Sequence, residues 1–193
     1  MPELVLVRHT SVGVHPATVY GRTDVAVADT FEAEADAVRD RLAVIWPGGP
    51  TRIVSSPAQR CQRLAARIGV IDSSDERLWE MCFGSWELQR WDRLPPSELA
   101  EWGRDFVHVH PPGGESYAEL ALRTHEALRD TLTDAGTGDR ILVVAHGGVI
   151  RAALARFLEI PLRRSFDVQI DFGSITLIGW RGDRPHLRLI NHR

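Results

Sequence analysis

Two imidazoles, two guanidiniums and one carboxylate stand where they could act together: Arg8, His9, Arg60, Glu80 and His146. Each follows a short segment that reads as a strand, or the turn after one. A guanidinium and an imidazole at the end of an apolar strand do nothing for folding. They stand where open α/β sheets place ligands, just outside the carboxyl edge. In a parallel sheet all these groups converge on that edge and make a strongly cationic site. Arginine binds phosphate oxygens bidentately, so a phosphate dianion suits the site. His9 reads as a nucleophile for phosphoryl groups.

The elements that would position these groups are legible in the hydrophobic pattern. Glu3 to Val7 is a short apolar strand that needs both faces covered. A polar, turn-rich loop follows, Ser11 to Asp29. Phe31, Ala35, Val38, Leu42 and Ile45 fall at spacings of 4, 3, 4 and 3, one face of a helix. Thr51 to Ser55 is a second strand. Ser56 as N-cap and Pro57 at the first helical position predict a helix from there to about Gly69. Arg77 to Glu80 reads as a third extended piece. From Met81 to Gly114 the periodicity breaks down around three tryptophans and two proline pairs. Such irregular stretches are usually functional, and this one reads as a lid inserted at about 81–115. Ser116 and Glu119 form a capping box for a helix along Leu120, Thr124, Leu128 and Leu132. Arg140 to Ala145 is the clearest buried strand, and a helix follows His146-Gly147-Gly148. Two strands, 174–180 and 186–191, close the chain as an antiparallel pair. The expected fold is α/β, a three-layer sandwich with a mostly parallel central sheet and helices on both faces. The 193 residues suit one domain, 1–193.

Composition narrows the chemistry further. All 23 basic residues are arginine, which excludes a P-loop lysine, a Schiff-base lysine and a Ser-Lys dyad. The net charge of −3 gives no drive towards nucleic acid or an anionic membrane. No apolar run approaches the ~18 residues of a membrane span, and the N-terminus has no signal-peptide pattern. Two cysteines, Cys61 and Cys82, make no disulfide framework and fit a cytoplasmic protein. Neither a metal nor a cofactor is expected.

Five motifs in order along the chain resemble the histidine phosphatase superfamily. They are Leu6-Val7-Arg8-His9-Thr10; Ser55-Ser56-Pro57 to Arg60; Leu78-Trp79-Glu80 with Phe83-Gly84-Ser85-Trp86-Glu87; Pro112-Gly113-Gly114-Glu115-Ser116; and Val144-Ala145-His146-Gly147-Gly148. That superfamily includes cofactor-dependent phosphoglycerate mutase. Within it, Tyr20-Gly21-Arg22-Thr23-Asp24-Val25, the run from Glu80 to Glu87 and the segment Phe166 to Asp171 resemble α-ribazole phosphatases. The resemblance implies a phosphoglycerate mutase-like fold. It implies that His9 becomes phosphohistidine, that Arg8, Arg60 and His146 bind phosphoryl oxygens, and that Glu80 serves as general acid and then base. It also implies substrate contacts for Gly147, Tyr20, Arg22 and Thr10, and removal of the 5′-phosphate of a nucleotide-like intermediate in cobalamin assembly. His9 must attack in its neutral form, with its other nitrogen tied to an acceptor that fixes the tautomer. Thr10 stands where the superfamily usually has glycine. Its usual Asn further along that loop is missing, and Phe31 and Glu34 replace the common Gly and Gln.

Other readings compete at single positions. Cys61 and Arg67 have the spacing of a cysteine-phosphatase loop, but the residues between them are helix-forming and lack glycine. His108, His110 and Glu115 are not a closed metal-ligand set. Trp86 reads as lid core, with Trp91 open. A broad-specificity phosphatase of sugars or nucleotides, a phosphoglycerate mutase and a non-catalytic phosphate-binding module are the functional alternatives.

Overall fold

The strand that ends in Arg8-His9 lies inside the sheet. In the computed structural model, which describes residues 2–133 and 135–193, β1 (Glu3–Arg8) pairs parallel with β4 (Arg140–Ala145) and antiparallel with β5 (Ile175–Arg181). Leu4, Val5, Leu6 and Val7 are completely buried, each contributing about 1.5–3 kcal/mol by transfer from water. β4 pairs parallel with β2 (Arg52–Ser55), and β2 with the two-residue β3 (Ser73–Ser74). β6 (Arg184–His192) closes the other edge against β5. The strand order is β3-β2-β4-β1-β5-β6, four parallel strands with an antiparallel pair at one side. Parallel pairing puts the carboxyl ends of β1, β2 and β4 on one edge, and that edge carries the site.

Period-2 alternation sorts the strand residues between two helical layers. Val5, Val7, Ile53, Leu142 and Val144 face α1 (Phe31–Ile45) and α2 (Gln59–Ile68). Leu4, Leu6, Val54, Ile141 and Val143 face the other side. There they meet α4 (Tyr117–Thr133) and α5 (Gly147–Phe157). The expected three-layer α/β fold is the observed one. The capping box is present: Ser116 N donates to Glu119 Oε2 at 2.8 Å, and Glu119 N donates to Ser116 Oγ at 3.3 Å.

Three local expectations differ. α2 begins at Gln59, three residues after Ser56. The Ser56 hydroxyl lies 2.8 Å from His146 Nε2, which competes with capping. Arg77 to Glu80 is not extended. A 3₁₀ turn covers Glu76–Leu78, started by Asp75, whose carboxylate accepts from Arg77 N at 2.8 Å. The extended piece falls earlier, at Ser73–Ser74. The last hairpin turn is also tighter than expected, with Gly182 at φ 59°, so Pro185 joins the ladder opposite Trp180.

The segment 81–115 holds two 3₁₀ turns, Gly84–Trp86 and Trp91–Arg93, and helix α3 (Pro96–Arg104). Its small core joins Trp86 and Leu94 to Val19 of the loop after β1, with Trp91, Leu99 and Trp102 partly buried around them. Trp86 is therefore core of this segment, and its Nε1 donates to Glu98 at 2.8 Å.

Candidate active site

His9 sits one residue beyond the end of β1 and is 2% exposed. Its Nδ1 lies 2.7 Å from the carbonyl oxygen of Thr10. A carbonyl only accepts, so Nδ1 carries the proton and Nε2 keeps its lone pair. Burial, then the charges of Arg60 and Arg8, hold the imidazole well below the ordinary histidine range, against a smaller opposing effect of the Thr10 bond. The ring is therefore neutral and its tautomer fixed, as nucleophilic attack requires. Thr10 performs this service through its backbone. Its side chain is fully buried and its φ is not in the left-handed region, so the position makes no demand for glycine.

Behind His9 lies a second layer. His146 directly follows β4, fully buried, with its ring centroid 5.3 Å from that of His9. Its Nδ1 is 3.3 Å from Arg60 Nη2, which can only donate. The proton is thus on Nε2, which donates to Ser56 Oγ at 2.8 Å. Burial, then Arg60, keep this imidazole neutral as well. Arg60, in the first turn of α2, is wholly buried and donates to the Gly21 and Thr23 carbonyls at 2.7 and 3.1 Å. Arg60 and His146 do not line the cavity in front of His9. Both His146 nitrogens and both Arg60 Nη atoms are held by protein partners, and Arg60 Nε has none among the described residues, as is true of Arg8 Nε. Of the two arginines, Arg8 is the one that lines the cavity. Arg8 is oriented by donating Nη1 to the Ile170 carbonyl at 2.7 Å and by stacking 3.8 Å over Phe172.

Two histidines buried neutral carry a consequence for stability. Their folded pKa values are depressed, so below about pH 6.5 the unfolded chain binds protons that the native state does not. Stability is therefore lost as pH falls from about 6.5. Calorimetric Tm measured from pH 7.5 down to 5 is expected to decline across that window. A flat profile would contradict neutral burial of the pair.

Glu80 follows the 3₁₀ turn at the opposite wall. Its carboxylate accepts from Met81 N at 2.9 Å and from Gly148 N at 3.0 Å. Gly148 is in the first turn of α5, and a Cβ there would fall 2.3 Å from Glu80 Oε1. Glycine lets the helix approach the carboxylate closely.

A cavity of about 380 Å³ opens onto Arg8, His9, Glu80 and Gly148, a size ordinary for small-molecule sites. Tyr20, Phe83, Trp91, Phe166 and Phe172 give it an aromatic wall. Arg151 also lines it and went unrecognised in the sequence. Its Nε donates to the Val168 carbonyl at 3.0 Å, and it lies 5.3 Å over Phe166. Among the described residues no carboxylate lies within 4.0 Å of it. The signal was available: Gly147 and Arg151 are four apart on a helix that starts at the site, so they share a face.

Of the expected substrate contacts, Tyr20 lines the cavity, with its ring 6.4 Å from that of His9. Arg22 does not; its half-exposed guanidinium turns to Glu115 at 3.7 Å. Thr10 and Gly147 are likewise absent from the cavity wall, though Gly147 starts α5 directly behind Arg8 and Arg151. The loop from Tyr20 to Thr23 is fastened to the segment 81–115 instead. Glu87 accepts from the backbone N–H groups of Arg22, Thr23 and Phe83. Gly21 lies so close that a Cβ would meet Met81 O at 1.8 Å. These motifs build the wall more than they read a ligand.

The competing readings fare poorly at their own residues. Cys61 lies inside α2, fully buried, and burial pushes its thiol far up from the ordinary range. His108 bonds Asp105 and His110 bonds Glu119, each at 2.9 Å, so they serve different carboxylates.

Residues 4–193 match the family described as "Histidine phosphatase superfamily (branch 1)", and the chain belongs to that superfamily. A Yersinia pestis (strain Pestoides F) protein named "Probable phosphoglycerate mutase GpmB" is 31% identical, over 97% of this chain and 95% of its own. A mycobacterial glucosyl-3-phosphoglycerate phosphatase structure superposes with a TM-score of 0.87 at 24% identity, covering 99% of both chains. A phosphoserine phosphatase structure from Entamoeba histolytica gives 0.85 at 22% identity, covering 99% of this chain and 97% of that one. No helix of the described residues is long and apolar enough to cross a membrane.

Proposed function

We propose that the chain is a phosphomonoester hydrolase working through a phosphohistidine at His9. The observation that carries this is the neutral His9 ring, with Nδ1–H bound to the Thr10 carbonyl. It leaves an Nε2 lone pair in a cavity shared with Arg8 and Glu80. Nε2 attacks phosphorus and the ester P–O bond breaks. Glu80 gives its proton to the leaving oxygen. Water then attacks the phosphohistidine, its proton passes to the Glu80 carboxylate, and inorganic phosphate frees Nε2. Arg8 binds the phosphoryl oxygens from the cavity wall. Arg60 and His146 stand behind His9, where the Arg60 charge acts on the same phosphoryl from the second layer while the His146 N–H is engaged by Ser56. Phosphoryl transfer needs mostly this positioning and charge stabilisation, and a placed general acid adds roughly 10²–10⁴-fold. The substrate is a phosphorylated small molecule.

The aromatic wall favours a leaving group with a flat ring, since stacked aromatic pairs add about 0.5–1.5 kcal/mol beyond burial. Together with the motif resemblance, it supports α-ribazole 5′-phosphate as substrate. A second reading, phosphoglycerate mutase, is favoured by the Yersinia relative and by the unpaired cation Arg151 in the cavity. Hydrolysis rates over α-ribazole 5′-phosphate, p-nitrophenyl phosphate, sugar phosphates and nucleotides test the first. α-Ribazole 5′-phosphate is expected to show the highest kcat/KM, and equal turnover of every ester would sink the substrate assignment. Turnover of 3-phosphoglycerate primed with 2,3-bisphosphoglycerate would establish the mutase instead. No hydrolysis of any monoester would end the hydrolase reading.

A further inference from the structure

One ion pair outside the cavity grips the backbone on both sides of Glu80. Arg123, in the second turn of α4, donates Nη1 to the carbonyl oxygens of Arg77 and Trp79 at 2.7 and 2.6 Å, and Nη2 to that of Glu80 at 3.0 Å. Its Nε and Nη2 also hold Glu115 in a two-point pair. Glu115 Oε1 in turn accepts from Cys82 N at 2.9 Å, and Glu115 N donates to Cys82 O at 2.9 Å. The two side chains are about 14% and 15% exposed. Three carbonyl oxygens and both Glu115 carboxylate oxygens converge on one guanidinium, five acceptors where a lysine ammonium has only three donors.

We propose that the Arg123–Glu115 pair is a positioning device for Glu80, coupling the general acid to the lid and to α4. This rests on the phosphatase reading above. Glu80 has no regular element of its own. It follows a 3₁₀ turn and precedes the irregular segment 81–115, so local structure does not fix its backbone. Arg123 supplies that rigidity from a long helix, and Glu115 supplies it from the lid's far end. The same carboxylate lies 3.7 Å from Arg22, so the Tyr20 loop is joined to the brace. Arg123 touches neither substrate nor the reacting atoms. Its effect on catalysis runs through the placement of the Glu80 carboxyl, where an error of about 1 Å costs on the order of 10²-fold.

The signature of a misplaced acid is dependence on the leaving group. An alkoxide must receive a proton as its P–O bond breaks, whereas p-nitrophenolate departs without one. The test compares kcat/KM for 2-phenylethyl phosphate and p-nitrophenyl phosphate in the full chain, because kcat/KM reports only steps through leaving-group departure. Glu80→Gln is the reference. Arg123→Lys keeps the charge but lacks the fork, and Glu115→Gln keeps the shape but weakens the pair. Arg123→Lys is expected to lower the alkyl ester's kcat/KM by roughly 10²-fold. The loss for the aryl ester should be at least ten times smaller, the same pattern as in Glu80→Gln. Glu115→Gln should show that pattern more weakly, which keeps the test decisive if Arg123→Lys folds poorly. Equal losses on both esters, or none, would overturn the positioning role while leaving the phosphatase reading standing. Wild-type protein inert towards both esters would overturn the phosphatase reading, and this one with it.

Discussion

Replacing His9 by alanine is expected to abolish hydrolysis, lowering kcat/KM by about 10⁴-fold or more, as removal of a nucleophile does where its partners cannot substitute. The fold should survive. His9 is buried beyond the end of β1, and its ring makes one hydrogen bond, to the Thr10 carbonyl. Losing it leaves one buried acceptor unpaired, a cost of about 1–3 kcal/mol. Cys61→Ala provides the control. Cys61 is equally buried and its sulfur lies 3.6 Å from His146 Nε2, yet it has no part in the proposed chemistry. That variant should keep activity within about threefold, with a modest stability loss from a small cavity. Thermal melts alongside kinetics separate the two effects. An active His9→Ala with an inactive Cys61→Ala would transfer the nucleophile's role to the cysteine.

The second large effect is expected from one methyl group. In Gly148→Ala the new Cβ would stand 2.3 Å from Glu80 Oε1 and 3.4 Å from Leu120 Cδ1. The carboxyl is the mobile end of a side chain, so it can swing away at little cost to the fold. Doing so breaks its bond from Gly148 N. Activity should fall by roughly 10²-fold through a displacement of about 1 Å, while Tm changes by only a few degrees. The loss should be larger for alkyl than for aryl phosphates, because the acid is what moves. Unchanged kcat/KM on an alkyl ester would mean that Glu80 does not need its present position.

The convergence of Arg8, His9 and His146 was legible because each follows or ends a strand with a strong local signal. The apolar runs Leu4 to Val7 and Ile141 to Ala145 can only be buried strands, and parallel pairing carries Arg8, His9 and His146 to one edge. The Ser116–Glu119 box was legible for the same reason, since both partners lie in one turn. What sequence did not reveal depends on contacts between distant segments. Ser56-Pro57 has the chemistry of a helix start, but its hydroxyl is taken by His146, 90 residues away. Arg22 has the chemistry of a phosphate ligand, but Glu115, 93 residues further along, lies beside it instead. Phe166 and Phe172 reach the cavity from the loop between α5 and β5, a placement that no spacing encodes. Thr10, which departs from the superfamily's usual glycine, proves to act through a carbonyl that any residue could supply.

The central claim is covalent chemistry at His9, and it can be observed directly. The protein is mixed with a phosphomonoester substrate, quenched within milliseconds in alkali and digested, and the peptide containing Arg8-His9-Thr10 is analysed by mass spectrometry. Phosphate is expected on His9, stable in alkali and lost in acid, and absent when Glu80 is intact but His9 is alanine. Full turnover with no phosphate on His9 at any quench time, or phosphate on another residue, would contradict the account.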